Sequence, residues 1–290
     1  MTQAHGDYYI PHGSNWPIIG SVGLVTMLGG FASKLNGAAM GGTLMMVGAA
    51  IIVFMLFGWF GTVIRESESG MYNEQVDKSF RWGMSWFIFS EVMFFAAFFG
   101  ALFYTRNYSV PWLGGEGAKG TAHILWENFK AVWPLLKMPD PSKFDVPKDV
   151  IEAWHIPAIN TLILLSSGVT VTWAHWGLKK NNRMQLILGL LVTVALGATF
   201  VTLQAHEYAE AYTHLNLKLS SGIYGSTFFM LTGFHGLHVT IGAIMLTVML
   251  LRSIKGHFTA EHHFAFEAAA WYWHFVDVVW LGLFIFVYWL

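Results

Sequence analysis

Ionisable side chains lie inside segments that are otherwise apolar, and they are the residues best placed to do chemistry. Glu91 is the one carboxylate in the run FIFSEVMFFAAFFG. A charge in hydrocarbon costs from about 3 to over 10 kcal/mol, depending on the method, so such a residue needs a partner, a proton or a function. Four further residues belong to this group, the intramembrane polar residues: His235, His238, His274 and Asp277.

The spacing of these residues indicates which of them can meet. His274 and Asp277 are three positions apart, as are His235 and His238, and residues at this spacing are neighbours on one side of a helix. Glu91 is close to the middle of its predicted helix, about 13 Å along the helix from Trp82. The sequence therefore predicts polar contacts at membrane depth.

Three interpretations of these contacts remain open from the residues alone. The side chains can pair with one another and fix how the helices pack. They can form a proton or ion pathway, since intramembrane acids often serve one. They can also hold a metal or a haem, and a haem between two helices would take one imidazole from each, such as His235 and His274.

A second group of polar residues lies at the predicted membrane rim, in WFGTVIRESESG and LLRSIKGHFTAEHHFAFE. Aromatic and basic residues at this level anchor a protein at the interface, and they can also bind lipid headgroups. His262 and His263 are adjacent, so their rings point apart and are unsuited to sharing one metal. The candidate headgroup contacts are Trp59, Arg65, Glu66, Arg252, Lys255 and His257.

The composition indicates a membrane protein. Of the 290 residues, 55% are hydrophobic and only 11% are charged, too few to cover a water-facing surface. The net charge of −1 gives no basis for nucleic-acid binding. Because the chain has no cysteine, disulfides, iron–sulfur clusters and thiolate metal sites are excluded.

Apolar runs long enough to cross a bilayer occur seven times, which predicts an all-α polytopic membrane protein. Glycine-rich stretches such as MLGGF and MGGTLMMVGAA predict close helix contacts. We expect one membrane domain over 1–290, with an extramembrane insertion at 106–155 that holds one short helix near 122–133. The predicted spans are 16–33, 38–64, 82–105, 156–178, 184–206, 223–251 and 268–290.

The loops also predict an orientation. When the long insertion is discounted, Lys and Arg concentrate in the loops on the side of the N-terminus, which places that terminus in the cytoplasm and the C-terminus outside. The first residues lack the basic and apolar regions of a signal peptide, so we expect none.

Several long blocks closely resemble subunit III of haem–copper cytochrome c oxidases, of the bacterial type. They are RWGMSWFIFSEVMFF, LLSSGVTVTWAH, EYAEAYTHLNLKLSSGIYGSTFFMLTGFHGLHVTIG and HHFAFEAAAWYWHFVDVVWL. The resemblance covers about 16–105 and 156–290, whereas the insertion departs from the family. It implies helices 1–2 (16–64) and helices 3–7 (82–290) arranged as two plus five around a V-shaped cleft filled with phospholipid.

The resemblance also implies a function and its partners. The chain would be an accessory subunit of a proton-pumping respiratory oxidase in a bacterial inner membrane, supporting subunit I and contacting subunit II. The complex would pass electrons from cytochrome c to dioxygen. Haem and copper would lie in the partner subunits, and this chain would have no catalytic residue, no metal and no cofactor beyond bound phospholipids.

Residue by residue, Glu91 matches the family's intramembrane glutamate, and we predict that His235 or His238 is its hydrogen-bond partner. The rim residues named above match the family's lipid contacts. The N-terminal tail would lie near the proton entrance of subunit I, where His5, Asp7 and His12 could relay protons because histidine titrates near neutral pH. A polar tail without this role is the alternative.

Three other classes of polytopic membrane protein are alternatives. A transporter could use Glu91 and Asp277 as proton-coupled carriers, but the inverted repeats and broken helices common in transporters are not evident. A retinal receptor needs a lysine in its last helix, and this one has none. A two-haem membrane cytochrome would be recognised by the visible spectrum of the isolated chain.

Overall fold

The computed structural model describes residues 13–117, 124, 126–140, 142, 143 and 146–290, and this part of the chain consists of helices, turns and irregular segments without a β-strand. Seven of its helices are long and apolar enough to cross a membrane, which confirms the predicted class and number of spans. They are α1 (Trp16–Leu35), α2 (Gly41–Glu68), α3 (Glu74–Leu113), α4 (Ile156–Lys179), α5 (Arg183–Thr213), α6 (Gly222–Lys255) and α7 (Phe264–Trp289).

Most helices extend beyond the predicted spans. The largest extension is in α3, which begins at Glu74 although its apolar run begins at 82. Polar residues can continue a helix outside the hydrocarbon, because their side chains are hydrated there while the backbone keeps its hydrogen bonds. The end of α6 is set by Gly256, whose φ of 79° is left-handed and favours glycine.

The C-terminal end of α3 extends into the segment that was predicted as the insertion. The helix widens into a π-helical segment at Thr105–Ser109 and then continues to Leu113. Pro111 lacks an N–H and its ring would clash with the carbonyl four residues earlier, and a π-helical turn is a common way to accommodate such a defect. The helix therefore continues about two turns beyond 105, into the first residues of the predicted insertion.

The second half of the short helix predicted near 122–133 is not helical in the described residues. Residues 126–133 are turns and irregular backbone, so the predicted short helix is wrong for these residues. Trp133 precedes a proline, which disfavours helical geometry, and its ring packs edge-on against Tyr224 at 5.7 Å. The segment is held against the bundle, where the Lys148 N–H donates to the Leu215 carbonyl at 2.8 Å.

The chain divides into two compact units, one ending at Trp82 and the other covering Gly83–Leu290. In the first unit, α1 packs against α2 through glycines. A Cβ atom on Gly30 would lie 2.4 Å from the backbone nitrogen of Met45, and one on Gly48 would lie 2.3 Å from that of Met27. Because only hydrogen fits at these positions, the glycine-rich stretches form the close contact that the sequence predicts.

The second unit has a large aromatic and aliphatic core. In it α4 packs against α5, α5 against α6, and α7 against both α6 and α4. Trp273 and Trp280 of α7 and Phe200 of α5 are almost completely buried. The indole N–H of Trp273 donates to the Ser167 hydroxyl at 2.9 Å, and that of Trp280 donates to Thr161 at 2.9 Å. These hydrogen bonds fix the rotation of α7 against α4, which positions the polar residues of α7.

Candidate functional site

Glu91 of α3 forms a hydrogen bond with His238 of α6. Its Oε2 lies 2.8 Å from Nε2 of the imidazole. This confirms the prediction that one of two histidines is the partner and identifies it as His238. Both side chains are largely shielded, with 21% of Glu91 and 11% of His238 exposed.

The hydrogen bonds of His238 determine how many protons the pair holds. Its Nδ1 lies 2.6 Å from the carbonyl oxygen of Phe234. A carbonyl only accepts, so Nδ1 carries a proton and Nε2 is the atom that faces Glu91. The 2.8 Å contact then needs one proton between nitrogen and oxygen. Whether that proton is on the acid or on the imidazole, the pair has no net charge, which largely removes the cost of a lone carboxylate.

Aromatic side chains surround this pair. The His238 ring contacts Phe95 edge-on at 5.0 Å between centroids and stacks on Tyr272 at 6.3 Å. Phe94 is 5.9 Å away. In such apolar surroundings a hydrogen bond is electrostatically stronger than in water, and a polar group left without its partner is correspondingly costly.

His235 lies one turn away and has a different environment. Its Nε2 donates to the carbonyl of Val276 at 3.2 Å, and the ring is enclosed by Phe200 and Trp280. Its Nδ1 has no hydrogen-bond partner among the described residues. His235 therefore joins α6 to α7 and does not pair with Glu91.

His274 and Asp277 form a separate contact on α7. The Nδ1 atom of His274 lies 3.5 Å from Oδ2 of Asp277, and its Nε2 lies 3.3 Å from the Thr172 hydroxyl. Gly168 of α4 permits this approach, because a Cβ there would lie 2.6 Å from the carboxylate. The intramembrane polar residues are thus distributed over three local groups, and Glu91 and Asp277 each pair with a different histidine.

The candidate headgroup contacts in the first unit lie in the C-terminal part of α2. The Arg65 guanidinium donates to Thr62 at 3.1 Å and is exposed. Glu66 accepts a hydrogen bond from the Tyr72 hydroxyl at 2.8 Å. Trp59 is 41% exposed, as an interfacial aromatic would be.

The rim residues of the second unit differ in exposure. Arg252 is buried, and its guanidinium lies 4.5 Å from the centre of the Phe258 ring in a cation–π contact. Lys255 is exposed and His257 is half-buried. Lys255 is therefore the residue of this group that most openly presents a positive charge at the helix end. The proton-relay candidates His5, Asp7 and His12 lie outside the described residues.

Two groups of contacts between polar residues were not predicted from the sequence. Glu207 of α5 is buried and accepts a hydrogen bond from Tyr288 at 2.6 Å. His175 of α4 meets His263 and Glu267 at the start of α7. The spacing of four residues between His263 and Glu267 was a usable signal, whereas the approach of His175 depends on the packing of distant segments.

The fold and its polar contacts define a class: a polytopic helical membrane protein whose intramembrane acids are paired with histidines. The chain matches the family profile of cytochrome c oxidase subunit III over residues 6–118 and 131–290, leaving out twelve residues inside the insertion. Cytochrome c oxidase subunit 3 of Homo sapiens is 42% identical over 290 residues, covering 100% of this chain and 99% of that protein.

Further relatives give the same result. Cytochrome c oxidase subunit 3 of Pongo abelii is 43% identical, and that of Cyprinus carpio is 42% identical, each over 288 residues covering 99% of this chain and 98% of the relative. The chain belongs to the cytochrome c oxidase subunit III family and is therefore part of an oxidase complex.

Proposed function

We propose that this chain is an accessory subunit of a proton-pumping oxidase that transfers electrons from cytochrome c to dioxygen. Subunits I and II supply the haem and copper, and this chain stabilises subunit I, binds phospholipid and supports proton uptake. The family resemblance suggests that helices 1–2 and helices 3–7 are arranged as two plus five around a lipid-filled cleft. The membrane is a bacterial inner membrane, with the N-terminus in the cytoplasm and the C-terminus outside.

The observation that carries this proposal is the pairing of Glu91 with His238 inside a family member. Their hydrogen bond joins α3 to α6, and its shared proton leaves the pair without net charge. Glu91 and Asp277 belong to separate groups with different histidines. A transporter would need such carriers along one pathway, so this distribution favours a structural role in a larger complex.

Purification of the native protein in mild detergent, through a tag on this chain, tests the proposal. We expect haem and two partner subunits to be recovered together, and all haem to be lost when the partners are stripped away. Haem that stays with the isolated chain would instead indicate a haem site of its own. A native extract with neither haem nor partners would favour the transporter.

The lipid proposal is supported by exposed charges at two helix ends. Phosphate headgroups attract Arg and Lys, each worth about 1 kcal/mol near a membrane surface. We expect Arg65→Ala and Lys255→Ala each to weaken phospholipid retention by roughly fivefold and to shorten the life of the oxidase during turnover. Quantitative lipid analysis of the purified complex measures the first effect.

Lys34→Ala is the matched control, because Lys34 is also an exposed basic residue at a helix end but was not predicted to contact lipid. Equal lipid content in all three variants and the parent would contradict the lipid proposal.

Proton uptake is tested separately by substituting His5, Asp7 and His12 together, which should shift the pH dependence of turnover. An unchanged profile would remove the relay.

A further inference from the structure

Three side chains with metal-ligating atoms converge where the end of α4 meets the start of α7. His175 is one turn before the end of α4, His263 immediately precedes α7, and Glu267 is in its first turn. The two Nε2 atoms are 3.3 Å apart. Oε1 of Glu267 lies 3.5 Å from Nε2 of His175 and 3.2 Å from Nε2 of His263.

These three distances match the separations between three of the four ligand atoms of a tetrahedral zinc site. Zinc binds imidazole nitrogen at about 2.0–2.1 Å and carboxylate oxygen at about 2.0–2.2 Å, so two ligand atoms of a regular tetrahedron are about 3.3–3.4 Å apart. The observed separations of 3.2, 3.3 and 3.5 Å bracket this value. A cation bound by these three atoms would have one further coordination position for a ligand from outside the trio.

The tautomer of His263 supports a cation at this position. Its Nδ1 lies 3.0 Å from the carbonyl oxygen of Thr259, which only accepts, so Nδ1 carries a proton. In the neutral ring, Nε2 then presents a lone pair to the Glu267 carboxylate. Two acceptors in contact need a proton or a metal between them. A metal-binding histidine typically donates its other N–H to a backbone carbonyl or a carboxylate, as His263 does.

The surroundings are those of a built site. Only 21% of His175, 7% of His263 and 12% of Glu267 is exposed, so the three side chains are held by packing. The ring of Phe266 covers His175 at 5.3 Å between centroids. The exposed Lys179 marks the polar end of α4 one turn further on, so the trio lies near the aqueous boundary of the helix bundle.

We propose that His175, His263 and Glu267 bind a divalent zinc ion. Two imidazoles and one carboxylate suit zinc better than magnesium or calcium, which prefer oxygen ligands. The ion links α4 to the loop that follows α6 and to α7, so it acts as a clamp between elements distant in sequence. His262, which is adjacent to His263, is outside the trio. The proposal does not depend on the proposed function.

Zinc titration of the full-length chain in detergent tests the site. After treatment with a chelator and removal of that chelator, we expect the parent to bind one zinc ion per chain against a chromophoric competitor. His175→Ala, His263→Ala and Glu267→Gln should each weaken binding at least tenfold. His262→Ala is the matched control and should bind as the parent does. Zinc affinity that is the same in all five proteins would overturn the proposal.

A second measurement needs no variant. Cobalt(II) added to the metal-free parent should give the intense visible absorption of a tetrahedral ion, and zinc should displace it. The weak absorption of an octahedral cobalt ion, or no bound cobalt, would overturn the proposal. It would show that the three side chains share protons and do not bind a metal. Magnesium at the same concentration should leave the cobalt spectrum unchanged.

Discussion

Replacing Gly30 with valine is expected to separate α1 from α2 and to lower the free energy of unfolding of the chain by about 3 kcal/mol, the upper end of the usual range for overpacking. The neighbouring atoms are backbone atoms: a Cβ on Gly30 would meet the nitrogen of Met45 at 2.4 Å and the carbonyl carbon of Leu44 at 2.8 Å. A backbone cannot rotate away as a side chain can, so the two helices must move apart.

Gly29→Val is the matched control for this change. Gly29 is adjacent in the same helix, and a Cβ there would have no atom within 4 Å. Both variants add the same side chain to α1, so their difference isolates the helix contact. Unfolding in mixed micelles titrated with SDS, followed by tryptophan fluorescence, measures it. Equal stabilities of the two variants would show that α1 and α2 are less closely packed than in the structure.

The number of helices could be predicted from the sequence because each span is a continuous apolar run of a length set by the bilayer. Helix ends were less predictable. Residues 74–80 of α3 are mostly polar and still helical, since helix formation outside the hydrocarbon does not require apolar side chains. Pro111 does not end α3, because a π-helical segment precedes it and the helix continues to Leu113.

The residues of the candidate site could be predicted from the sequence, but the sequence could not show which of them pair with each other. His235 and His238 differ by about 60° around the helix, so the sequence could not show which of them faces Glu91. The packing of α7 decides this, since His235 is engaged by the Val276 carbonyl. His175 and His263 are 88 positions apart. Their contact follows from the packing of α4 on α7, for which a single sequence gives no periodic signal.

The largest effect at the intramembrane site is expected from His238→Ala. This change removes the partner of a shielded carboxyl group and leaves a space among the rings of Phe95 and Tyr272. Breaking a buried pair by removing one member typically costs about 3–5 kcal/mol of unfolding free energy. Glu91→Gln should cost about 1 kcal/mol or less, because the amide N–H can donate to Nε2 and the hydrogen bond is kept.

A double-mutant cycle with Glu91→Ala and His238→Ala separates the hydrogen bond from the lost packing. Once His238 is alanine, removing the Glu91 side chain should cost less than it does in the parent, because no imidazole remains unpaired. We expect a coupling energy of about 2 kcal/mol in the same SDS titration, within the range for residues that share a hydrogen bond. Independent effects, with a coupling energy near zero, would mean that the pair shares no proton. Glu91 would then need another explanation for its place in the apolar run.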